Sequence, residues 1–222
     1  MQKGEFGMED SSPCRARGRP RTFDREVALG LAMELFWANG YHGSSISDLT
    51  ERMGIGTKSL YAAFGSKEQL FSEALQLYLA TFEKVILDGF DKAATARKAV
   101  EAFLRASAAS MTRPISERPR GCMVTLTFFG DHDPEALGGM LRSTRSGLFE
   151  VLVIRLRRAV EEGDFSRSID IAELARFVQI VHSGMTVRSR DGASQAELDG
   201  VVDIAMAAWD SIVDRSQFRA TR

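Results

Sequence analysis

The 222-residue chain is long enough for one large or two modest cores, and 44% of it is hydrophobic. A formal net charge of -1 excludes a uniformly basic nucleic-acid binder. No stretch approaches the roughly 18 apolar residues of a membrane span, and the opening MQKGEFGMEDSSP lacks the apolar core of a signal peptide, which reads as a cytoplasmic protein with no membrane partner.

Two cysteines, Cys14 and Cys122, form no disulfide framework and match no zinc spacing, so neither a structural metal nor a cofactor is expected. Charge is concentrated near the start. Between Arg15 and Arg25 five arginines face one acid, Asp24, a local charge of about +4 that can neutralise phosphates. Residues 1–22 read as a disordered basic arm. Within it Arg17-Gly18-Arg19-Pro20-Arg21 resembles the core of an AT-hook, with Arg17, Arg19 and Arg21 entering an A·T minor groove; a tail that only raises nonspecific affinity is the alternative.

The pattern then turns helical. Asp24 to Asn39 carries Ala28, Leu31, Ala32, Leu35 and Phe36 on one face and is stopped by Gly40. Ser45, with Asp48 three positions on, caps a short helix bearing Ile46, Leu49 and Met53, and Gly54 supplies the turn after it. A second short helix follows, whose Leu60, Ala63 and Phe64 pack while Thr57, Lys58, Tyr61 and Ala62 stay free. Such a free face suits a helix in a major groove. Ser66 with Gln69 forms a capping box for the next helix, where Lys67 in the first turn opposes the helix dipole and is explained by a nearby phosphate.

These residues, Phe36, Gly40-Tyr41, Ser44-Ser45-Ile46 and Leu60-Tyr61-x-x-Phe64-x-Ser66-Lys67-Glu68, resemble the N-terminal domain of the TetR family of transcriptional regulators across roughly residues 20 to 75. Ala62 and Ala63 depart from the family's aromatic or histidine preference. The resemblance implies an operator-binding repressor, with Ser45, Thr57, Lys58, Ser59, Tyr61 and Lys67 at the DNA.

Ser66 to about Leu87 reads as a long helix with Leu70, Phe71, Ala74, Leu75, Tyr78, Phe82 and Val85 along its stripe, able to join two domains mechanically. Ala93 to Met111 follows, then a loop from Thr112 to Gly121 and a short helix from Cys122 to Phe129. Asp133 is read as the N-cap of a helix from Pro134 to about Glu162, ended by Gly163. Asp131, His132, Asp133 and Glu135 carry metal-capable side chains, but their spacing fits a capped helix start better than a metal site. Asp170 and Glu173 open a helix from Ala172 to Val187. The last, from Ala196 to about Val213, carries Leu198, Val201, Val202, Ala205, Trp209 and Ile212 in a wide stripe. Helices apolar nearly all round must be covered on two sides. That points to a homodimer through the last two helices, at Phe177, Val181, Gly184, Val201, Ala205 and Trp209, as the family resemblance also implies; burial within one subunit is the alternative.

The predicted fold class is therefore all-α, with a helix-turn-helix domain over 23–68, a helical ligand-binding and dimerisation domain over 69–213 and a tail over 214–222. The apolar residues Met111, Met123, Phe128, Phe129, Met140, Phe149 and Met185, with Cys122, are candidate walls for a hydrophobic or aromatic effector. Cys122 has a second reading as a redox or electrophile sensor, since the dipole at a helix start and nearby Arg120 can acidify a thiol; a small buried apolar residue is the alternative. His182, on a mostly apolar helix, reads as a hydrogen-bonded core or interface histidine and not a ligand contact. An enzyme built on Cys122 and His132 is the remaining class; no glycine-rich phosphate loop or nucleophile motif supports it.

Overall fold

A computed structural model of the chain describes residues 23–113, 118–130 and 133–220, apart from the side chains of Glu83 and of 214–220. The arm residues Arg17, Arg19 and Arg21, and the pair Asp131 and His132, lie outside the described residues. Every regular element among the described residues is a helix: α1 (Arg25–Asn39), α2 (Ile46–Met53), α3 (Thr57–Phe64), α4 (Lys67–Lys92), α5 (Ala96–Met111), α6 (Met123–Leu126), α7 (Glu135–Glu161), α8 (Ile171–Arg190) and α9 (Gln195–Ala220).

Local chemistry sets most of the ends. Asp24 accepts from the N–H groups of Glu26 and Val27 to start α1. Ser45 and Asp48 form a reciprocal capping box at α2. Gly54 closes α2 with φ 66, a left-handed conformation that glycine adopts without a Cβ clash. Ser66 caps α4 through Gln69 N–H, Thr95 caps α5 through Lys98 N–H, and Asp170 caps α8 through Glu173 N–H. Two expectations fail. The Cys122 to Phe129 run gives only one turn, Met123–Leu126. Pro134, not Asp133, stands at the α7 N-cap; Asp133 instead accepts from Gly130 N–H at 2.6 Å and meets His42 Nε2 at 2.9 Å. Tying the turn after α1 to the start of α7 competes with capping for the same carboxylate.

The apolar side chains divide into two clusters. The first holds α1, α2, α3 and the first half of α4 together through Phe36, Trp37, Leu49, Leu60, Phe64 and Phe71, and it also takes in Met123, Val124, Leu137 and Leu141. The second packs Phe90 of α4 with Phe103 and Leu104 of α5, Leu156 of α7, Met185 of α8 and Trp209 of α9. At 26 residues α4 is about 39 Å long, and like α7 it contributes to both clusters. Val85, expected on its buried stripe, is 59% exposed; Ile86 and Phe90 take that role.

Polar ties brace the first cluster. Arg25 reaches Ala63 O at 3.2 Å and Glu73 at 2.7 Å, joining α1 to α3 and α4. Arg52 meets Glu34 at 2.8 Å, joining α2 to α1. A longer tie comes from the far cluster: Arg190, the last residue of α8, donates to Trp37 O at 2.7 Å and Ala38 O at 3.0 Å. Those carbonyls end α1, where intrahelical partners run out and a cation is favoured.

Candidate nucleic-acid interface and effector cavity

The α2–turn–α3 unit presents one face outward. Leu60 and Phe64 of α3 are buried, whereas Thr57, Lys58, Ser59, Tyr61 and Ala62 are exposed, Tyr61 by 44%. Ala63 is half-buried, and its carbonyl accepts from Arg25. Gly56 caps α3 without a side-chain hydrogen bond, so the first N–H groups of the helix point outward together with Thr57, Lys58 and Ser59. A phosphate or a base edge can use such donors. Ser45 is exposed at the start of α2, and its hydroxyl already serves the capping box.

Lys67 has a partner of its own. Its ammonium lies 4.2 Å from the centroid of the Tyr41 ring, a cation–π contact, and the Tyr41 hydroxyl donates to Glu68 at 3.0 Å. Burial lowers the lysine's pKa, with Glu68 and Asp48 opposing that effect. A cation in this first turn therefore needs no phosphate to account for it.

Beyond this unit a cavity of ≈ 1170 Å³ opens between α4, α5, α6, α7 and α8. Tyr78, Phe82, Ile86, Phe103, Leu148 and Phe149 give it apolar walls. Of the residues the sequence nominated, Cys122, Phe128 and Phe149 line it. Met111, Met123 and Met185 do not, being 3% exposed or less and packed as solid core. Met111 is fixed further by hydroxyls, Thr186 to its sulfur and Ser189 to its carbonyl. Phe129 and Met140 pack on the first cluster instead, Phe129 with its ring 5.3 Å from Tyr41 and 5.7 Å from Phe71.

The polar wall was not foreseen. Arg145 enters it from α7, and Arg176, Gln179 and His182 from α8. The Arg145 guanidinium donates to Val124 O at 2.9 Å and to Thr127 O, lies 4.9 Å from the Phe128 ring centroid, and has its pKa lowered by burial. His182 corrects the expectation of a hydrogen-bonded core residue. Its ring stacks on Phe103 at 5.2 Å and lines the cavity, and among the described residues no hydrogen bond to its ring nitrogens is formed. Burial pushes its pKa down to about 4, so it is neutral near pH 7. The Tyr78 phenol is raised well above its ordinary range, first by burial and then by the Cys122 thiol it meets. The described residues contain no group of three metal-capable side chains.

Comparison with known proteins decides the family. The model for bacterial regulatory proteins, tetR family, matches residues 28–74. HTH-type transcriptional repressor ComR of Escherichia coli (strain K12) is 31% identical over 208 residues, covering 92% of this chain and 98% of ComR. This chain belongs to the TetR family. It is 41% identical to a cysteine-substituted TetR family transcriptional regulator CifR solved with 26-base-pair double-strand operator DNA, with a TM-score of 0.80 over 86% of this chain and 99% of that one. HTH-type transcriptional repressor BdcR, also of Escherichia coli (strain K12), is 28% identical and is covered fully. TetR membership makes the chain a DNA-binding transcriptional regulator and not an enzyme.

In this TetR protein the nominated dimer residues fall into two groups. Ala205 and Trp209 are buried in the chain's own core, Trp209 at 1% exposure with its ring 5.6 Å from Phe165, so neither can be offered to a second copy. Phe177 and Val181 are half-buried, while Gly184 and Val201 are exposed. The large apolar side chains turned outward on α8 and α9 are Ile180, Val187, Val201, Ile204 and Ile212, Ile204 by 73%. No described helix is long and apolar enough to cross a membrane.

Proposed function

We propose that the chain is a transcriptional repressor that binds a palindromic operator as a homodimer and leaves it when an apolar or aromatic small molecule occupies the cavity. One observation carries this reading: α4 begins behind the exposed face of α3 and continues into the cavity wall through Tyr78, Phe82 and Ile86. A molecule wedged against the wall displaces the far half of α4 and with it the near half. That changes the separation of the paired α3 helices, which must match half-sites about 34–36 Å apart. The exposed row of Ile180, Gly184 and Val187 on α8, with Val201, Ile204 and Ile212 on α9, is where the second copy packs. Helix-turn-helix contacts from Ser45, Thr57, Lys58, Ser59 and Tyr61 read the operator, assisted by the arginine arm. The repressor names of ComR and BdcR agree with the sign of control.

The test is a fluorescence anisotropy titration of the chain on DNA from its own upstream region, with random DNA as reference and an apolar compound library added. Specific binding relieved by a library member supports the reading. Equal affinity for both DNAs rejects it.

A second reading is favoured by the placement of Cys122. The half-buried thiol lines the same cavity and meets the Tyr78 phenol, so an electrophile held by the apolar walls would be delivered to sulfur. Here N-ethylmaleimide lowers operator affinity in the native chain and leaves Cys122→Ser unaffected; an equal response in both would dismiss the sensor.

A further inference from the structure

We propose that the effector is an apolar acid, held by its carboxylate at Arg145 with its body against Phe103 and Phe149. This rests on the cavity being the effector site, and it adds the chemical class of what enters. The cavity wall carries more positive than negative charge. Arg145 and Arg176 bring two cations to it, and Glu150 is the one carboxylate in its lining among the described residues. Arg145 has no carboxylate within 4.0 Å among the described residues; its Nε and Nη2 are held by the Val124 and Thr127 carbonyls, which leaves both Nη1 hydrogens without a partner among the described residues, on a side chain that lines the cavity. A desolvated cation whose hydrogen bonds go only to neutral carbonyls, with the Cys122 thiol as its one ionisable neighbour, lacks a carboxylate partner, and a carboxylate ligand supplies it with short, charge-assisted hydrogen bonds.

Two further features support the same ligand chemistry. Buried and stacked on Phe103, the His182 imidazole has one N–H donor without a partner among the described residues, so it can donate to the second carboxylate oxygen or to a polar group on the body. Gln179 uses its amide N–H on Arg145 O at 2.9 Å, which fixes the backbone behind the guanidinium and not its charge. The Phe128 ring beneath the guanidinium holds it flat without neutralising it. A cationic ligand would meet Arg145 and Arg176 at like charge. A neutral one would leave Arg145 unpaired.

The experiment is calorimetric titration of the full chain with 3-phenylpropanoate and octanoate, each beside its primary amide, near neutral pH. The acids bind at least tenfold more tightly than the amides, and Arg145→Met removes that preference while leaving amide binding unchanged. Because Arg145 also holds α6 through its carbonyl bonds, Arg145→Lys serves as a second variant and keeps a measurable preference for the acid. Equal binding of acids and amides, or an acid preference that survives Arg145→Met, overturns the proposal. Operator release by neutral apolar compounds alone overturns it too, while sparing the cavity as effector site. If neither acids nor neutral apolar compounds bind or release operator, the effector reading falls with it.

Discussion

Acidification destabilises this fold through His182, and the size of the effect follows from its burial. The imidazole is 5% exposed, and burial holds its pKa near 4 where an unfolded histidine titrates at 6.5. With the folded value the lower one, the unfolded chain binds more protons between the two, so stability falls as pH falls. The contribution is complete above about pH 6.5 and gone by about pH 4; it amounts to about 3 kcal/mol in all, with about 2 kcal/mol lost between about pH 7 and about pH 5. Urea unfolding of the native chain and of His182→Gln, at one protein concentration and at both pH values, isolates it from every other titrating group. The native chain should lose about 2 kcal/mol more than the variant over that interval. Equal losses would mean that the imidazole is not held neutral in the wall, and the donor pattern assigned to the cavity would be wrong.

Other substitutions test the remaining parts. Thr57→Ala and Lys58→Ala change which operator is preferred, by about 1–3 kcal/mol for each base edge left unread, whereas Tyr61→Ala weakens all sequences alike; unchanged competition between operators would displace α3 as the reader. Lys67→Ala reports whether its Tyr41 contact leaves the ammonium free for phosphate, by making the salt slope of log K shallower by about 1 or leaving it alone. Removing residues 1–21 costs more affinity on operators with A·T flanks than with G·C flanks if Arg17, Arg19 and Arg21 enter the minor groove, and costs the same on both if the arm acts only by charge. Ile204→Glu, on the exposed face of α9, yields a monomer in sedimentation with the helical content kept; a persistent dimer would move the interface elsewhere. Arg190→Met cuts the tie from the cavity-lining α8 to the end of α1 and brings the antagonism between effector and operator toward unity, from a usual range of about 5–150-fold; unchanged antagonism would leave α4 as the sole link.

The reader unit was legible because its determinants are local. Ser45, Asp48 and Gly54 act within a few residues of themselves and appear in the structure as the caps and turn their spacing requires, and Ser66 accepts from Gln69 N–H as the first half of its expected box. The cavity was not, because periodicity says that a residue is buried and not what buries it. Met111 and Phe149 are alike in sequence, yet one is core and the other wall. Trp209 shows the same limit: its stripe was real, but Phe165 of the same chain covers it. Arg145, Arg176 and His182 meet only when α7 packs on α8, and nothing at their own positions marks them. Asp133 failed for a different reason, since its partner His42 lies 91 positions earlier in the chain.

Reciprocal linkage between the cavity and the operator is the most direct measurement. Operator affinity is determined by anisotropy with and without saturating cavity ligand, and ligand affinity by calorimetry with and without saturating operator. Linkage requires both to fall by one common factor, corresponding to about 1–3 kcal/mol of coupling free energy. Two affinities that do not change would sever the cavity from the DNA, and tighter joint binding would make the ligand a corepressor, contrary to release by occupancy.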